Sequence, residues 1–347
     1  MVTCKSTTNY DKSESVQMTA QSVDSSDLTN NFYDNVETIS LPPHELTIAG
    51  EIVNPGTVDV SRLEKRSVIV KEALLDDSGG NRFTGAFRYD GYSLFDILND
   101  RIINKANAEE FPQVIDLFVE IENAAGEKVV FSWGEIYYPA DLHKIILATD
   151  VARIVPSKTK ELWTLPVSAR IVSGNDLITE RNISDPVKIT VRSYPKSFVT
   201  IKGMSPMYSD AFSLYTENNY LSKIIDVPAS LNENTYNTVF YGRGKGIHST
   251  SPFRGVFLRS ILEKFYPSTR QNLMTGLFCF AAKDGYRMTV SYSELFNRND
   301  QQEFLLVKSI SGEDGGLFRI FPAPDFFSDR AVKSLNEVHF RNIGTGF

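Results

Sequence analysis

The sequence predicts a mainly β protein of the α+β class that contains one domain-sized pattern twice. Three sequence blocks occur in the same order in both halves of the 347-residue chain. A chain of this length is also too long for one ordinary hydrophobic core, so two domains are expected on length alone. Most apolar segments are short or alternating, as in strands, and two or three short helices interrupt them in each copy. Strands and helices do not alternate regularly, which argues against a parallel α/β sheet.

The three blocks differ in character, and the third has the strictest spacing. The first is a glycine followed by an apolar helix pattern, and the second is a strand, a turn and a segment that contains serine and glutamate. In the third, an aspartate follows six residues after an arginine and a second arginine follows eleven residues after it, in both copies. The matching segments are Gly91–Leu98 with Gly255–Leu262, Leu117–Ile136 with Leu277–Leu295, and Arg170–Arg181 with Arg319–Arg330.

The expected elements of each copy follow from these patterns. An alternating apolar pattern predicts an opening strand, and apolar residues on one face predict a short helix after the glycine. A turn that contains glycine then predicts a hairpin, and further apolar runs predict the closing strands. The opening strands are Glu45–Val53 and Val199–Gly203, the helices are Tyr92–Asn99 and Val256–Phe265, and the hairpin turns are Asn123–Gly126 and Asp284–Gly285.

The chain divides into a polar leader, residues 1–43, and two domains, residues 44–194 and 195–347, with the boundary at Tyr194-Pro195. The leader is rich in Ser, Thr, Asn, Asp and Gln and is expected to be disordered, because it buries too little apolar surface to offset its ordering entropy. Cys4, ahead of this polar tether, resembles the acylated cysteine of a bacterial lipoprotein. It predicts a lipid anchor in the cell envelope or periplasm. The alternative is a cytoplasmic protein with an incidental cysteine.

Composition excludes several classes of protein. The net charge of −7 argues against a broad nucleic-acid-binding surface. The sequence contains no apolar run near the ~20 residues that a membrane-spanning helix needs. The two cysteines, Cys4 and Cys279, and the four scattered histidines show no metal-ligand spacing, so no metal site is predicted. Cys279 lies in an apolar strand pattern and is expected to be a small buried residue.

The order of the blocks resembles the molybdopterin-binding domain of the sulfite oxidase family. The second copy matches that family's pattern better than the first, and together the copies cover most of residues 44–343. The resemblance implies a tandem duplication of that domain and an oxidoreductase ancestry. The segments that carry it are Leu46–Pro55, Gly91–Leu98, Gly255–Leu262, Asp284–Leu295, Gly315–Pro322 and Val332–Phe340.

The sequence departs from the family at the metal ligand. Active members place a molybdenum-binding cysteine in the loop ahead of the helix, and the corresponding stretches Leu74–Arg88 and Val239–Arg254 contain none. No cofactor is therefore predicted, although molybdopterin stays an open alternative. Whether the protein is an enzyme is left open, and no catalytic residue is identified.

The segment Tyr241–His248 is the most chemically suggestive stretch. Its glycines allow close approach of a ligand, and the cationic side chains around them could hold an anion or a pterin. Its spacing is not that of a phosphate-binding P-loop. A solvated basic loop is the alternative interpretation. The candidate residues are Arg243, Lys245 and His248, with Arg319, Arg330 and Lys333 as further members of the pocket.

Two functional hypotheses remain from the sequence. The first is a cofactor-free binding module that recognises a small anion or a partner protein. The second is a divergent molybdopterin oxidoreductase with a non-cysteine metal ligand. Nucleic acid is not an expected partner, and a membrane is expected only through the anchor at Cys4. The aromatic residues Phe326-Phe327, Tyr137-Tyr138 and Trp163 are expected in the core, and any that are exposed together would mark a partner surface.

Overall fold

Short strands make up most of the regular structure in the computed structural model, which describes residues 37–76, 78–156, 158–309 and 314–344. Strands account for 43% of the residues and helices for 11%. Within the described ranges no α-helix exceeds six residues, so each helix only caps a strand or turns the chain. The α-helices are α1 (Leu94–Asn99), α2 (Trp133–Tyr137), α3 (Leu258–Leu262), α4 (Arg270–Thr275) and α5 (Tyr292–Phe296).

The first half of the chain forms two sheets. In sheet 1 the strand order is β1-β8-β5-β4, with β9 also paired to β8, and in sheet 2 it is β3-β2-β10-β6-β7. The strands of sheet 1 are β1 (Thr38–Ser40), β4 (Lys65–Leu75), β5 (Asn81–Ser93), β8 (Ile145–Arg153) and β9 (Arg170–Ser173). The strands of sheet 2 are β2 (Thr47–Gly50), β3 (Gly56–Thr57), β6 (Leu117–Asn123), β7 (Lys128–Ser132) and β10 (Pro186–Ser193).

The second half repeats this topology except for β1, which has no counterpart among the described strands. Sheet 3 has the order β12-β11-β21-β17-β18 and sheet 4 the order β13-β16-β19-β20. The single parallel pair of sheet 2, β2 with β10, has its counterpart in β11 with β21 of sheet 3. Their strands are β11 (Phe212–Thr216), β12 (Asn219–Ile224), β17 (Gly276–Ala282), β18 (Arg287–Ser291) and β21 (Leu335–Asn342) in sheet 3, and β13 (Asn234–Tyr236), β16 (Phe253–Phe257), β19 (Phe304–Lys308) and β20 (Phe318–Pro322) in sheet 4.

The predicted α+β fold of the sulfite oxidase type is wrong. The protein is mainly β, with four small sheets in a propeller-like arrangement. The physical reason lies in the helices, which are too short to form a layer on a sheet. The predicted helix Val256–Phe265 contains only the five residues Leu258–Leu262, because its first two residues pair with β19. Apolar spacing over one or two turns cannot distinguish a packing helix from such a strand cap.

The opening strand of the second half is also not where the sequence placed it. Val199–Gly203 forms no strand, and the counterpart of β2 is β11, Phe212–Thr216. Leu214 of β11 pairs with Val338, as Ile48 of β2 pairs with Ile189. The alternation in Val199–Gly203 is local, whereas the strand that joins a sheet is selected by its non-local partners.

Each half has a main hydrophobic core between its two sheets, and the other half adds a few side chains to it, such as Met274 in the first core and Phe111 in the second. A third cluster lies at the junction of the halves. Sheets 2 and 3 contact each other through Phe118 and Val130 of the first half and Leu277 and Cys279 of the second. Each of these four side chains is at most 1% exposed, so the contact between the halves excludes solvent as a hydrophobic core does. A shared apolar interface of this kind makes independent motion of the halves unfavourable.

The first repeated arginine block forms a buried ionic cluster. Arg181 is 1% exposed and donates from Nε and Nη2 to both carboxylate oxygens of Asp176, at 2.8 and 2.6 Å. The same guanidinium donates to both oxygens of Glu135, each at 3.0 Å. The spacing of this block therefore places an arginine and an aspartate side by side around a tight turn.

The second block forms the matching cluster, and the two clusters touch. Arg330 donates to Asp325 at 2.8 and 2.5 Å and to Glu294 at 2.6 Å. The hydroxyl of Ser132 donates to Glu294 across the halves at 2.6 Å, and Arg181 donates to the hydroxyl of Ser291 at 3.1 Å. We call the six charged residues and two serines the arginine network. Its members are Glu135, Asp176, Arg181, Glu294, Asp325, Arg330, Ser132 and Ser291.

The arginine network holds four carboxyl groups against two guanidinium groups. Burial raises the pKa of Asp325 to about 6, although the nearby Arg330 opposes this shift. Burial also raises the pKa of Glu135, again against the effect of its arginine. Desolvation thus outweighs pairing at these two sites, so both carboxyl groups take up a proton more readily than they would in water.

Gly134 provides a direct test of the network. A Cβ at this position would overlap the guanidinium of Arg330, whereas a Cβ at Gly244 would meet no atom within 4 Å. We expect Gly134→Ala to lower the free energy of unfolding by roughly 3 kcal/mol, because it displaces a buried charge from its partners. Gly244→Ala should change it by less than about 0.5 kcal/mol. Urea denaturation of both variants checks this, and equal stabilities would contradict the role given to the network.

The raised pKa of Asp325 makes a prediction about pH. A carboxyl group that is protonated more readily in the folded state contributes less to stability as the pH rises from about 4 to about 6. As the pH rises over this range, the native protein should therefore lose up to roughly 3 kcal/mol of unfolding free energy relative to Asp325→Asn. Denaturation of both proteins at about pH 4 and pH 7 measures it. A constant or opposite difference would show that Asp325 stays ionised.

Candidate functional site

The basic segment singled out in the sequence forms a β-hairpin that the first half lacks. Strands β14 (Phe240–Gly242) and β15 (Gly246–Ser249) pair only with each other and lie between β13 and β16 along the chain. Gly246 has a φ of +73°, which an L side chain rarely adopts, so a glycine is needed where the tip turns back into β15. The tip, Arg243-Gly244-Lys245, is exposed.

An exposed group of apolar side chains lies beside this tip. The ring of Tyr241 is 5.9 Å from that of Phe326 and 6.2 Å from that of Phe327, and the two phenylalanine rings are 4.9 Å apart. Ile247 pairs with Tyr241 across the hairpin, so their side chains share one face. Phe326 and Ile247 are each 56% exposed. We call these four apolar residues, with Arg243 and Lys245, the aromatic hairpin surface.

A rigid base supports the aromatic hairpin surface. Phe240 lies 5.1 Å from Phe253, whose ring stacks on Phe321 at 4.3 Å. The backbone N–H of Phe326 donates to the carbonyl of Tyr138 at 2.8 Å. The preceding residue, Asp325, belongs to the arginine network, so the exposed rings are attached directly to the buried ionic cluster.

Two polar groups lie at the edge of this surface without a hydrogen-bond partner among the described residues. They are the hydroxyl of Tyr138 and Oδ2 of Asp329. Burial raises the pKa of Tyr138 to about 12, so the hydroxyl is a neutral donor. The other carboxylate oxygen of Asp329 lies 3.9 Å from Nε of Arg243, a weak contact at a half-exposed site. Both atoms are buried, so neither is exposed to solvent at this surface.

The six candidate residues of the predicted anion or pterin pocket do not converge. Arg243, Lys245 and His248 share the hairpin and are exposed. Arg330 is fully buried in the arginine network. The remaining two lie elsewhere: Arg319 donates to the carbonyl of Asp314 at 2.9 Å, and Lys333 is exposed. None of the six lines any of the four pronounced cavities.

The residues do not fit a molybdenum centre. Cys279 is fully buried at the contact between sheets 2 and 3, and burial raises the pKa of its thiol well above the ordinary value. A protonated, inaccessible thiol is a poor ligand for a metal. Across the part of the chain that the structure describes, no three His, Cys, Asp or Glu residues are grouped to bind a metal ion. Cys4, and with it the predicted lipid anchor, lies outside the described residues.

Sequence reasoning missed how the candidate surface is assembled. Tyr241 and Ile247 are opposite each other only because the glycine-rich tip closes a hairpin, and the sequence showed the glycines as a loop that faces a ligand. All five aromatic residues in the group Phe326-Phe327, Tyr137-Tyr138 and Trp163 were expected in the core, and Phe326 is instead 56% exposed. Of the other aromatic residues in that group, Tyr138 is buried, and Tyr137 and Trp163 are partly buried against a core.

The comparisons with known proteins assign no family to the chain. No protein-family model matches it, and no curated protein is significantly similar to it. In the described part of the chain, no helix has the length and apolar character required to cross a membrane.

The aromatic hairpin surface should contribute little to folding. We expect Phe326→Ala, at a ring that is 56% exposed, to lower the free energy of unfolding by less than about 1 kcal/mol. Phe318→Ala, at a fully buried ring of the same type, should lower it by about 3–5 kcal/mol. Chemical denaturation of the two variants makes the comparison. A large loss of unfolding free energy in Phe326→Ala would show that the ring stabilises the fold, and it would contradict this expectation.

Proposed function

We propose that the protein is a non-catalytic binding module that recognises a partner protein through the aromatic hairpin surface. The observation that carries the proposal is the exposure of Tyr241, Ile247 and Phe326 together on a rigid base, beside two basic side chains. Contiguous exposed apolar groups of this kind mark binding surfaces on soluble proteins. Tyrosine and arginine are also enriched among the residues that dominate binding energy at protein interfaces.

The charge around the hairpin defines the chemistry of the partner. Residues 234–262 contain Arg243, Lys245, Arg254 and Arg259 and no carboxylate, in a chain whose net charge is −7. Arg259 pairs with Glu303 at 3.1 Å, whereas Lys245 at the tip has no ion-pair partner among the described residues. A partner segment that carries carboxylates next to an apolar anchor would complement this surface.

A protein partner accounts for more of the surface than a small anion does. A small anion would use Arg243 and Lys245 but leave the exposed rings without a role, and no pronounced cavity encloses the tip. A folded or extended polypeptide can place an apolar side chain against the exposed rings and a carboxylate beside Arg243 or Lys245. Vesicles that contain anionic lipid test the remaining alternative, a membrane surface.

The proposal can be tested with labelled acidic peptides that carry one central Phe, Leu or Trp among Glu and Asp residues. We expect saturable binding to the full chain by fluorescence anisotropy. Tyr241→Ala combined with Phe326→Ala should weaken it at least about tenfold, because both anchors are removed. Arg243→Ala combined with Lys245→Ala should weaken it most at low salt, because screening already reduces their contribution at high salt.

The matched control is Leu162→Ala, which removes an apolar side chain that is 70% exposed in the connection between β8 and β9. Its peptide binding should equal that of the native protein. Peptide binding that is indifferent to both double variants would overturn the proposal. So would binding to vesicles that contain phosphatidylserine, lost in the same variants, if no peptide binds.

A further inference from the structure

A charged cavity lies where the tip of the β4–β5 hairpin meets the second half of the chain. Its volume is about 390 Å³, within the range of sites that hold a small molecule. The hairpin and the segment that follows β9 form most of its wall, and α4 adds Arg270 from the second half. Its charged side chains are three carboxylates and three guanidiniums, so their formal charges cancel. They are Glu72, Glu127, Glu180, Arg82, Arg170 and Arg270. We call it the charged cavity.

Glu72 lies at a position where the strand pattern calls for an apolar side chain. Residues two apart in a strand point to the same side, and Val68 and Val70, which precede Glu72 on this side of β4, are buried in the main core of the first half. The side chain of Glu72 is itself only 10% exposed. Tyr89 and Asn182 each donate to its Oε1 at 3.0 Å, whereas no described residue donates to Oε2. Oε2 is accessible from the cavity, and a largely buried carboxylate oxygen is stabilised by a donor, best by a cationic one.

Arg82 is the complementary group on the same hairpin. It pairs with Leu74 across the two strands, so the two side chains share the side of the hairpin that lines the cavity. Arg82 forms no hydrogen bond or ion pair with a described residue. Hydrogen bonds from Ser78 and Gly80 already stabilise the carboxylate of Asp76 in the turn, and they lower its pKa more than the charge of Arg82 does. The guanidinium of Arg82 is therefore open to an anionic group of a ligand.

The remaining charged groups of the cavity neutralise one another. Arg270 lies 2.9 Å from Glu180 and 3.3 Å from Glu127. Arg170 lies 3.5 Å from Oε1 of Glu72. Of the six charged side chains, only Arg82 lacks an ion pair, and the one carboxylate with a cavity-facing oxygen that lacks a donor is Glu72.

An apolar part of the wall indicates what the rest of the ligand is like. Leu74, Leu75 and Ile183 complete the lining of the cavity. The backbone N–H of Leu75 donates to Glu180 at 2.9 Å, so the hairpin is bonded to the opposite wall and the cavity is preformed. A preformed site with apolar walls and a few polar groups suits a ligand that has an apolar side chain and two charged ends.

We propose that the charged cavity binds a zwitterionic small molecule, an α-amino acid with an apolar side chain. Its ammonium group would donate to Oε2 of Glu72, its carboxylate would pair with Arg82, and its side chain would lie against the apolar wall. A simple anion would leave Oε2 of Glu72 without a donor, and a simple cation would leave Arg82 unpaired. A zwitterion satisfies both groups and keeps the charges of the cavity balanced. The site shares no residue with the aromatic hairpin surface, and neither proposal depends on the other.

Isothermal titration calorimetry of the full chain with L-leucine, L-methionine and L-phenylalanine tests the proposal. We expect saturable binding of at least one of the three, with a Kd below about 1 mM. The amide of that amino acid lacks the carboxylate, and its N-acetyl derivative lacks the ammonium group. Each should bind at least about tenfold more weakly, because one of the two charged contacts is lost.

Two variants assign the two contacts. Arg82→Gln should weaken binding of the amino acid at least about tenfold and leave binding of its amide unchanged, because the amide has no carboxylate to lose. Glu72→Gln, which keeps an acceptor for Tyr89, should weaken binding of the amino acid similarly and leave binding of the N-acetyl derivative unchanged. A residue that only supports the fold would weaken all of these ligands alike.

The matched control is Arg62→Gln, at an exposed residue in the connection between β3 and β4 that does not line the cavity. It should bind the amino acid as the native protein does, and so should the double variant Tyr241→Ala and Phe326→Ala. Absence of saturable binding by all three amino acids would overturn the proposal. An N-acetyl derivative that binds as tightly as its parent would also overturn it, because the cavity would then be an anion site. Equal losses for the amino acid and its amide in Arg82→Gln would contradict the contact between Arg82 and the carboxylate.

Discussion

The arginine network is the constraint on which the rest of the structure depends. Moving two guanidiniums and four carboxyl groups out of water costs several kcal/mol per ion, and only a complete set of partners offsets it. Each half supplies one arginine with its own two carboxylates, but the bonds from Ser132 to Glu294 and from Arg181 to Ser291 cross the junction. Neither cluster is complete in one half alone, and the described residues from Glu37 onward accordingly belong to one compact unit.

The places where the two halves differ are more informative about function than the places where they agree. The shared strand order, the arginine clusters and the dry contact of sheets 2 and 3 maintain the fold. The hairpin β14–β15 exists only in the second half, where the first half joins β4 directly to β5. Glu120 and Thr190 of sheet 2 occupy the positions that Cys279 and His339 occupy in sheet 3. The surface proposed to bind a partner therefore lies on a feature that the two halves do not share.

The sequence showed the repeated spacing of the arginine network but not that the network is buried. The equal spacing of Asp176 and Arg181 and of Asp325 and Arg330 was visible, because a buried ion pair around a tight turn tolerates no insertion. Burial was not visible, so Arg330 was assigned to an anion pocket. The family resemblance relied on glycines, apolar positions and short helix patterns, which many β proteins share. The sequence could not show that Val199–Gly203 stays outside the sheet, because its alternation resembles that of β2. The strand that pairs with β21 is instead Phe212–Thr216.

The network also explains why the aromatic hairpin surface can be an efficient binding site. Phe326 follows Asp325 directly, and its backbone is bonded to Tyr138, one residue beyond α2, the helix that contains Glu135 of the first cluster. The exposed rings are therefore held by two segments that the buried charges fix in place. Binding orders few additional degrees of freedom when the contact residues are already immobilised, so more of the contact energy appears as affinity. The buried charges would in this way support recognition from beneath the surface without touching the partner.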